Sequence, residues 1–333
     1  MTTISKNEAK TLMGSEDIRK TSNMRDRFAS LGMLWVLVAL VIVAYALNPR
    51  FLSPGNLVNM LSQNAPLGII AVGMTLVIIA GGFDLSVAAV LAIGGVAYAT
   101  LSTLMAPVAA IVVVVIVGAV LGLINAILIT LFKVNPFIAT LATASLFSGL
   151  TLLFTNSKPI ALAPGGYDFL ADAEFLGAPL SVWLMVVLIA AGWFALSKTV
   201  YGRGIYAIGG NNEAARLAGL RVNALRASTY VITGALAALG GVVLTSVISV
   251  GQAGISPAVT LNSIAIVIIG GTSLLGGEGA MWRTVVGILI FGTVKNLFDI
   301  LAFPQAAQEV ALGLILIGAV SLDAFIRLRR GGR

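Results

Sequence analysis

Two long stretches of this chain carry no charge at all. No Asp, Glu, Lys or Arg lies between Asp84 and Lys133, and none lies between Arg226 and Glu278. A helix needs about 20 apolar residues to cross the hydrocarbon core of a bilayer, so each stretch can hold two crossings with a turn between them. A soluble fold has to cover its outside with charged groups, and these stretches offer none. The chain therefore belongs in a membrane. Its function has to be sought in what crosses the bilayer and in what meets its few polar loops.

The rest of the composition agrees. Of 333 residues, 59% are hydrophobic and 10% charged, with a mean hydropathy of +1.04; soluble domains carry about 25% charged residues. The apolar runs are continuous rather than alternating, which indicates spanning helices and not barrel strands. The 37 glycines let membrane helices approach closely. Cys and His are both absent, which excludes disulfides, Cys/His zinc sites, thiol nucleophiles and imidazole acid–base chemistry. No catalytic residue and no metal site is expected. The net charge is +7, but the basic residues flank apolar runs. The positive-inside rule accounts for them better than nucleic-acid binding does.

The pattern predicts an all-α polytopic membrane protein of about ten helices, at 30–48, 60–80, 85–105, 107–132, 137–155, 179–197, 228–250, 261–276, 283–302 and 308–326. The second contains Pro66 and the eighth runs into Gly270–Gly271 and Gly276–Gly277, so eight or eleven crossings are the alternatives. Residues 1–28 read as a cytoplasmic tail, 29–327 as one transmembrane domain, and 328–333 as a basic C-terminal tail. The first apolar run, Leu31 to Leu47, is followed by Asn48, Pro49 and Arg50 rather than a small-residue cleavage site, so it reads as a retained helix. With both termini cytoplasmic, all but three of the 20 Lys and Arg residues fall inside; Arg50 and Lys158 lie outside, and Lys295 lies in the ninth span.

Two loops exceed a tight turn. The outer one, 156–178, carries Asp168, Asp172 and Glu174. The inner one, 198–227, is the most polar internal segment. Within it Asn212 to Gly219 reads as a short helix, with Asn212 at the N-cap, Glu213 at the positive end of the dipole and Gly219 at the left-handed C′ position. Ala214, Leu217 and Ala218 form a small apolar stripe on it. So short a helix is marginal alone, so it either docks against something or lies on the membrane surface. A faint repeat also relates Val77–Gly82 to Val267–Gly271, each an apolar run entering a Gly pair; two unrelated helices that end in Gly would look the same.

The inner loop carries the strongest likeness to known proteins. Residues 206–222, YAIGGNNEAARLAGLRV, resemble the cytoplasmic coupling-helix region of ribose-type ATP-binding-cassette (ABC) importer permeases. Residues 73–95, 133–156 and 266–280 resemble the same family in the same order, so the likeness runs from the second span to the last. It implies a bacterial inner-membrane subunit that forms half of a pore with a second permease subunit, as a homodimer or heterodimer. It further implies cytoplasmic ATPase subunits on the coupling helix (Asn212, Glu213, Ala214, Ala215, Arg216, Leu217, Ala218, Gly219) and a periplasmic solute-binding protein. ATP and Mg²⁺ would sit on the ATPase, because this chain lacks a G-x-x-x-x-G-K-[ST] phosphate loop. Glu278 departs from the family's pattern, where a basic or neutral residue is expected.

A path for a neutral sugar needs amides and hydroxyls, and the candidates are Asn64, Asn125, Asn135, Thr140, Thr143, Asn262 and Asn296. The same residues serve as interhelical hydrogen-bond donors in membrane bundles. Asp84 either shapes the path or caps the third helix. Lys295 and Asp299, four apart, share a face and are expected to pair. Phe83, Phe137 and Phe147 could stack on a sugar, although packing explains them as well. Alternatives of another class are an ion-coupled secondary transporter and a non-transporting scaffold. A permease for branched-chain amino acids is the related one.

Overall fold

The computed structural model describes residues 32–304, 306–314 and 317–318, which include the first expected helix from residue 32 onward but neither tail nor the end of the tenth expected span. The described residues are helical almost throughout. Apolar helices α1 (Gly32–Leu47), α2 (Pro54–Ile79), α3 (Val87–Leu101), α4 (Pro107–Thr130) and α5 (Pro136–Thr155) are followed by a small mixed region with β1 (Ile160–Ala161), α6 (Phe169–Asp172), β2 (Glu174–Phe175) and β3 (Ala178–Pro179). Then come α7 (Leu180–Lys198), α8 (Val200–Gly210), α9 (Asn212–Leu217), α10 (Val222–Ile248), β4 (Val250–Gly251), α11 (Ala258–Ile269) and α12 (Met281–Ile300). Residues 306–314 are helical again. Proline opens α2, α4 and α5, where its missing N–H costs no helical bond.

Six of these helices are long and apolar enough to cross a membrane. Three others, α1, α3 and α11, have 16, 15 and 12 residues. Helix α11 corrects the expected span 261–276: at about 1.5 Å per residue it covers about 18 Å, well short of the hydrocarbon core. The chain leaves the helix at Gly271 (φ +96°) and runs irregularly to Ala280. Non-helical backbone at such depth is tolerated only where protein covers it. Helix α2 starts at Pro54, earlier than residue 60, and keeps Pro66 inside it. Helix α10 starts at Val222, earlier than 228, and takes in the end of the polar loop.

Helix α10 is the hub. It packs along α2, α3 and α4, and its contact with α4 is backbone on backbone. A Cβ on Gly118 would lie 2.4 Å from the Gly234 carbonyl oxygen, and a Cβ on Gly234 2.3 Å from the Gly118 oxygen. Gly118 and Gly122 are a small-xxx-small pair, the device that lets membrane helices touch where no hydrophobic force drives them together. Burial follows from this arrangement: 83% of the most apolar window of α2 is buried, against 28% in α4, α5 and α7. The last three therefore leave many apolar side chains uncovered by the rest of this chain.

The faint repeat has a structural counterpart. At the end of α2, Gly81 N–H donates to the Ile78 carbonyl and Gly82 N–H to that of Val77; at the end of α11, Gly271 donates to Ile268 and Thr272 to Val267. Both ends are Schellman turns closed by a left-handed glycine, at φ +77° and +96°. The two halves of the bundle therefore break off in the same way, and the Gly277 N–H joins them by donating to the Ile79 carbonyl at 2.8 Å.

Helix α10, about 40 Å long at 27 residues, separates two polar ends. Beyond its C-terminus β1 pairs with β4, and the Tyr167 carbonyl accepts from Tyr98 and Ser246 hydroxyls at 2.8 and 3.1 Å. At its N-terminus lie α8 and α9.

Candidate functional site

Two features stand out: a cavity among the helices and a platform at the α8–α9 end. The cavity, about 370 Å³, lies between the first half of α2, the first half of α11, the last turns of α12 and residues 308–313. That is within the usual size of small-molecule sites, which combine apolar walls with a few converging polar groups. Here the polar groups are Gln63, Asn64, Asn262, Lys295, Gln308 and Glu309. Pro66 also lines it and removes one rung of the α2 ladder at this level.

Asn64 spends one amide hydrogen on the Met60 carbonyl at 2.7 Å, one turn back, which orients its head group. Lys295 is half-buried and, among the described residues, has no ion-pair partner. The expected Lys295–Asp299 pair does not form. Asp299 Oδ1 accepts from Gln308 Nε2 at 2.8 Å instead, which ties α12 to the following helix, and Lys295 lines the cavity.

Most other expected path residues are placed elsewhere. Asp84, 1% exposed, accepts from the Ser86 N–H at 2.9 Å and its hydroxyl at 2.6 Å. Ser86, not Asp84, occupies the N-cap of α3, so Asp84 acts as an Asx turn that fixes the entry into α3. Asn125 then joins three helices: its Nδ2 donates to Ser86 Oγ at 2.8 Å, and its Oδ1 accepts from Thr143 at 2.6 Å. Thr140 donates to the Pro136 carbonyl one turn back. Asn296 exchanges two amide hydrogen bonds with Asn56, at 2.9 and 3.0 Å. Phe83 offers its carbonyl to Tyr230 at 3.2 Å. Asn135 caps α5 by accepting from the Phe137 N–H at 2.9 Å. Of the aromatic candidates, Phe147 is buried in the core and Phe137 is exposed on the outside of α5. Among the expected path residues, then, only Asn64 and Asn262 line the cavity. Gln63, Gln308 and Glu309 escaped the sequence reading, and only their adjacency to apolar runs could have marked them.

The polar loop 198–227 holds two helices, where one was expected. Helix α8 is capped by the Thr199 hydroxyl, which accepts from the Gly202 N–H at 3.2 Å, and it buries Gly202, Gly204, Ile205 and Ile208. Helix α9 follows after a sharp turn. Its N-cap is Asn211, one residue before the expected Asn212: Asn211 Oδ1 accepts from the Ala214 N–H at 2.9 Å. Asn211 has an extended backbone (φ −153°), which an N-cap requires, whereas Asn212 is already inside the helix. Gly219 terminates it at φ +82°, as expected.

Helix α9 is attached by one side only. Ala215 is 5% exposed, but Leu217 is 79% exposed, and Ala214 and Ala218 are exposed beside it. The apolar stripe read from the sequence thus faces away from the rest of the chain. Glu213 and Arg216 pair on its surface at 2.6 Å; the hydrogen bond and charge of Arg216 hold the Glu213 carboxyl below its ordinary range, and those of Glu213 hold the Arg216 guanidinium above its own. Tyr206 of α8 donates to the Gly279 carbonyl at 2.9 Å. The platform is therefore bonded to the turn that follows α11.

Comparison with known proteins gives a consistent result. A family model described as branched-chain amino acid transport system / permease component matches residues 56–320. The ribose import permease protein RbsC of Bacillus subtilis (strain 168) is 43% identical over 296 residues, covering 88% of this chain and 92% of that protein. RbsC of Escherichia coli (strain K12) is 35% identical over 298 residues, covering 87% and 92%. The L-arabinose transport system permease protein AraH of the same organism is 35% identical over 302 residues, covering 88% and 90%. No solved structure matches. The likeness to ribose-type permeases read from the four sequence blocks is borne out.

Proposed function

This chain belongs to the branched-chain amino acid transport system / permease component family, and on that premise we propose that it is the membrane-spanning permease subunit of an ABC importer for a monosaccharide. It is a multi-pass membrane protein whose family works with ATPase and solute-binding subunits. In this reading two permease subunits form the pore, the ATPase subunits carry ATP and Mg²⁺, and a periplasmic protein delivers the sugar. The membrane is the bacterial inner membrane. Ten crossings with both termini in the cytoplasm belong to this proposal; what supports them is the charge pattern of the sequence, since that arrangement puts most Lys and Arg residues and the α8–α9 platform on one side.

The single observation that carries the reading is the exposed apolar stripe of α9 on a platform otherwise bonded into the bundle. A largely exposed leucine on a short capped helix is a docking face. Binding of the ATPase there, tightening and relaxing through its cycle, biases a bundle that has two arrangements. The cavity holding Asn64, Asn262 and Lys295 is the section of the path formed by this subunit. Its amides and ammonium suit the hydroxyls of a neutral sugar.

The test is co-purification in mild detergent, probed for an ATPase, with wild type and with Glu213→Arg plus Leu217→Asp. An ATPase retained by wild type and lost from a folded double variant supports the reading. No ATPase on folded wild type would sink it in favour of an ion-coupled transporter. The family description also favours a second reading, a branched-chain amino acid as solute; uptake of labelled ribose against labelled leucine in a deletion strain separates the two.

A further inference from the structure

Beside α9 lies a second cleft, of about 530 Å³, between three segments distant in sequence: the turn from α4 to α5, helix α9 and the first turn of α10. Lys133, Asn135, Glu213, Arg216 and Arg226 line it. Three cations thus face one carboxylate, and that carboxylate is already taken by Arg216. Lys133 and Arg226 have no ion-pair partner among the described residues. Arg226 Nε is moreover shut off from solvent with nothing to accept its hydrogen. The buried Asp84 does not pair with Arg226 and accepts from Ser86. Lys133 is held at φ +55°, a left-handed conformation that a lysine keeps only where its surroundings impose it.

Lys133 and Arg226 leave uncompensated positive charge on the cleft wall, and a carboxylate is the anion that matches a guanidinium fork. Glu213 and Arg216 belong both to α9 and to the cleft wall, so whatever covers α9 also covers the mouth of the cleft. From this we infer that the cleft receives an acidic side chain of the ATPase subunit, bound between Arg226 and Lys133 while the stripe at Leu217 packs alongside. The interaction rests on the importer reading and adds two segments to the docking surface, the α4–α5 turn and the start of α10. It ties the partner to the hub helix α10 directly.

The experiment titrates purified ATPase onto the permease in nanodiscs of uncharged phosphatidylcholine. Lys133→Gln and Arg226→Gln are each expected to raise Kd about tenfold, with Arg226→Lys restoring part of the loss and added salt weakening wild type more than either Gln variant. Unchanged Kd in Lys133→Gln and in a folded Arg226→Gln, with binding still lost in Leu217→Asp, overturns this inference and leaves the importer reading intact. Should Arg226→Gln fail to fold, the exposed Lys133 carries the same test alone. Binding that needs anionic phosphatidylglycerol and ignores both substitutions assigns the cleft to a lipid phosphate and also overturns it. Absence of binding by wild type in either lipid removes the importer reading itself.

Discussion

Gly209 stands against the Ile79 carbonyl so closely that a Cβ on it would lie 1.8 Å from the oxygen. The same oxygen accepts the Gly277 N–H at 2.8 Å. Three backbones therefore meet without a side chain between them: the end of α2, the end of α8 and the turn after α11. The arm that ends in α9 is in this way welded to both broken halves of the bundle.

Gly209→Ala is expected to cost about 1–3 kcal/mol, the usual range for overpacking where backbone has to yield. Sugar uptake should fall with it, because the arm no longer seats on α2. The adjacent Gly210 has open space at its Cβ position, so Gly210→Ala should stay within about 0.5 kcal/mol. Thermal unfolding in detergent, run with uptake on the same variants, checks the contrast; equal behaviour of the two would refute the close approach.

The Ser86–Asn125–Thr143 chain makes a separate claim. Asn125→Leu should lower stability by about 1–3 kcal/mol, because Ser86 and Thr143 lose a buried partner. A double-mutant cycle with Thr143→Val should return a coupling of about 0.5–1.5 kcal/mol, typical of interhelical bonds in membranes. Additive effects would mean that the two side chains do not meet.

Lys295→Met tests the cavity. With Asp299 held by Gln308, the substitution breaks no ion pair within the described chain. Stability should hold while uptake falls about tenfold, the equivalent of one hydrogen bond to a charged group. A stability loss that Asp299→Asn abolishes would instead indicate the pairing expected from the four-residue spacing.

The Glu213–Arg216 pair sets the acid side of docking. Because Arg216 lowers the Glu213 carboxyl below its ordinary value of 4.5, the pair's contribution is complete above that value and is lost as pH falls through the lowered one. ATPase association should therefore show no Glu213 step between about pH 5 and 8. Glu213→Gln should leave the pH profile in that window unchanged, and binding titrations at several pH values check it. Both side chains are more than half exposed, so added salt should weaken their contribution.

Much of this molecule was legible in its residues. The uncharged stretches establish a membrane bundle, because a bilayer admits little else. The capped segment around Glu213 announces a short helix, because capping and dipole preferences act within a few residues. Gly219 and the two Gly-ended runs mark helix ends for the same local reason. What the sequence could not decide is which neighbour each polar side chain meets. Asn56 and Asn296 bond across 240 positions, and the Ile79 carbonyl meets Gly277 from the far end of the chain. Periodicity names the face of a helix but not the helix opposite. Tertiary packing therefore turned Asn125 and Asn296 inward as links between helices, released Lys295 from Asp299 onto the cavity wall, and brought Lys133 and Arg226 to the side of α9, whereas Asp84 is set locally by its turn onto Ser86.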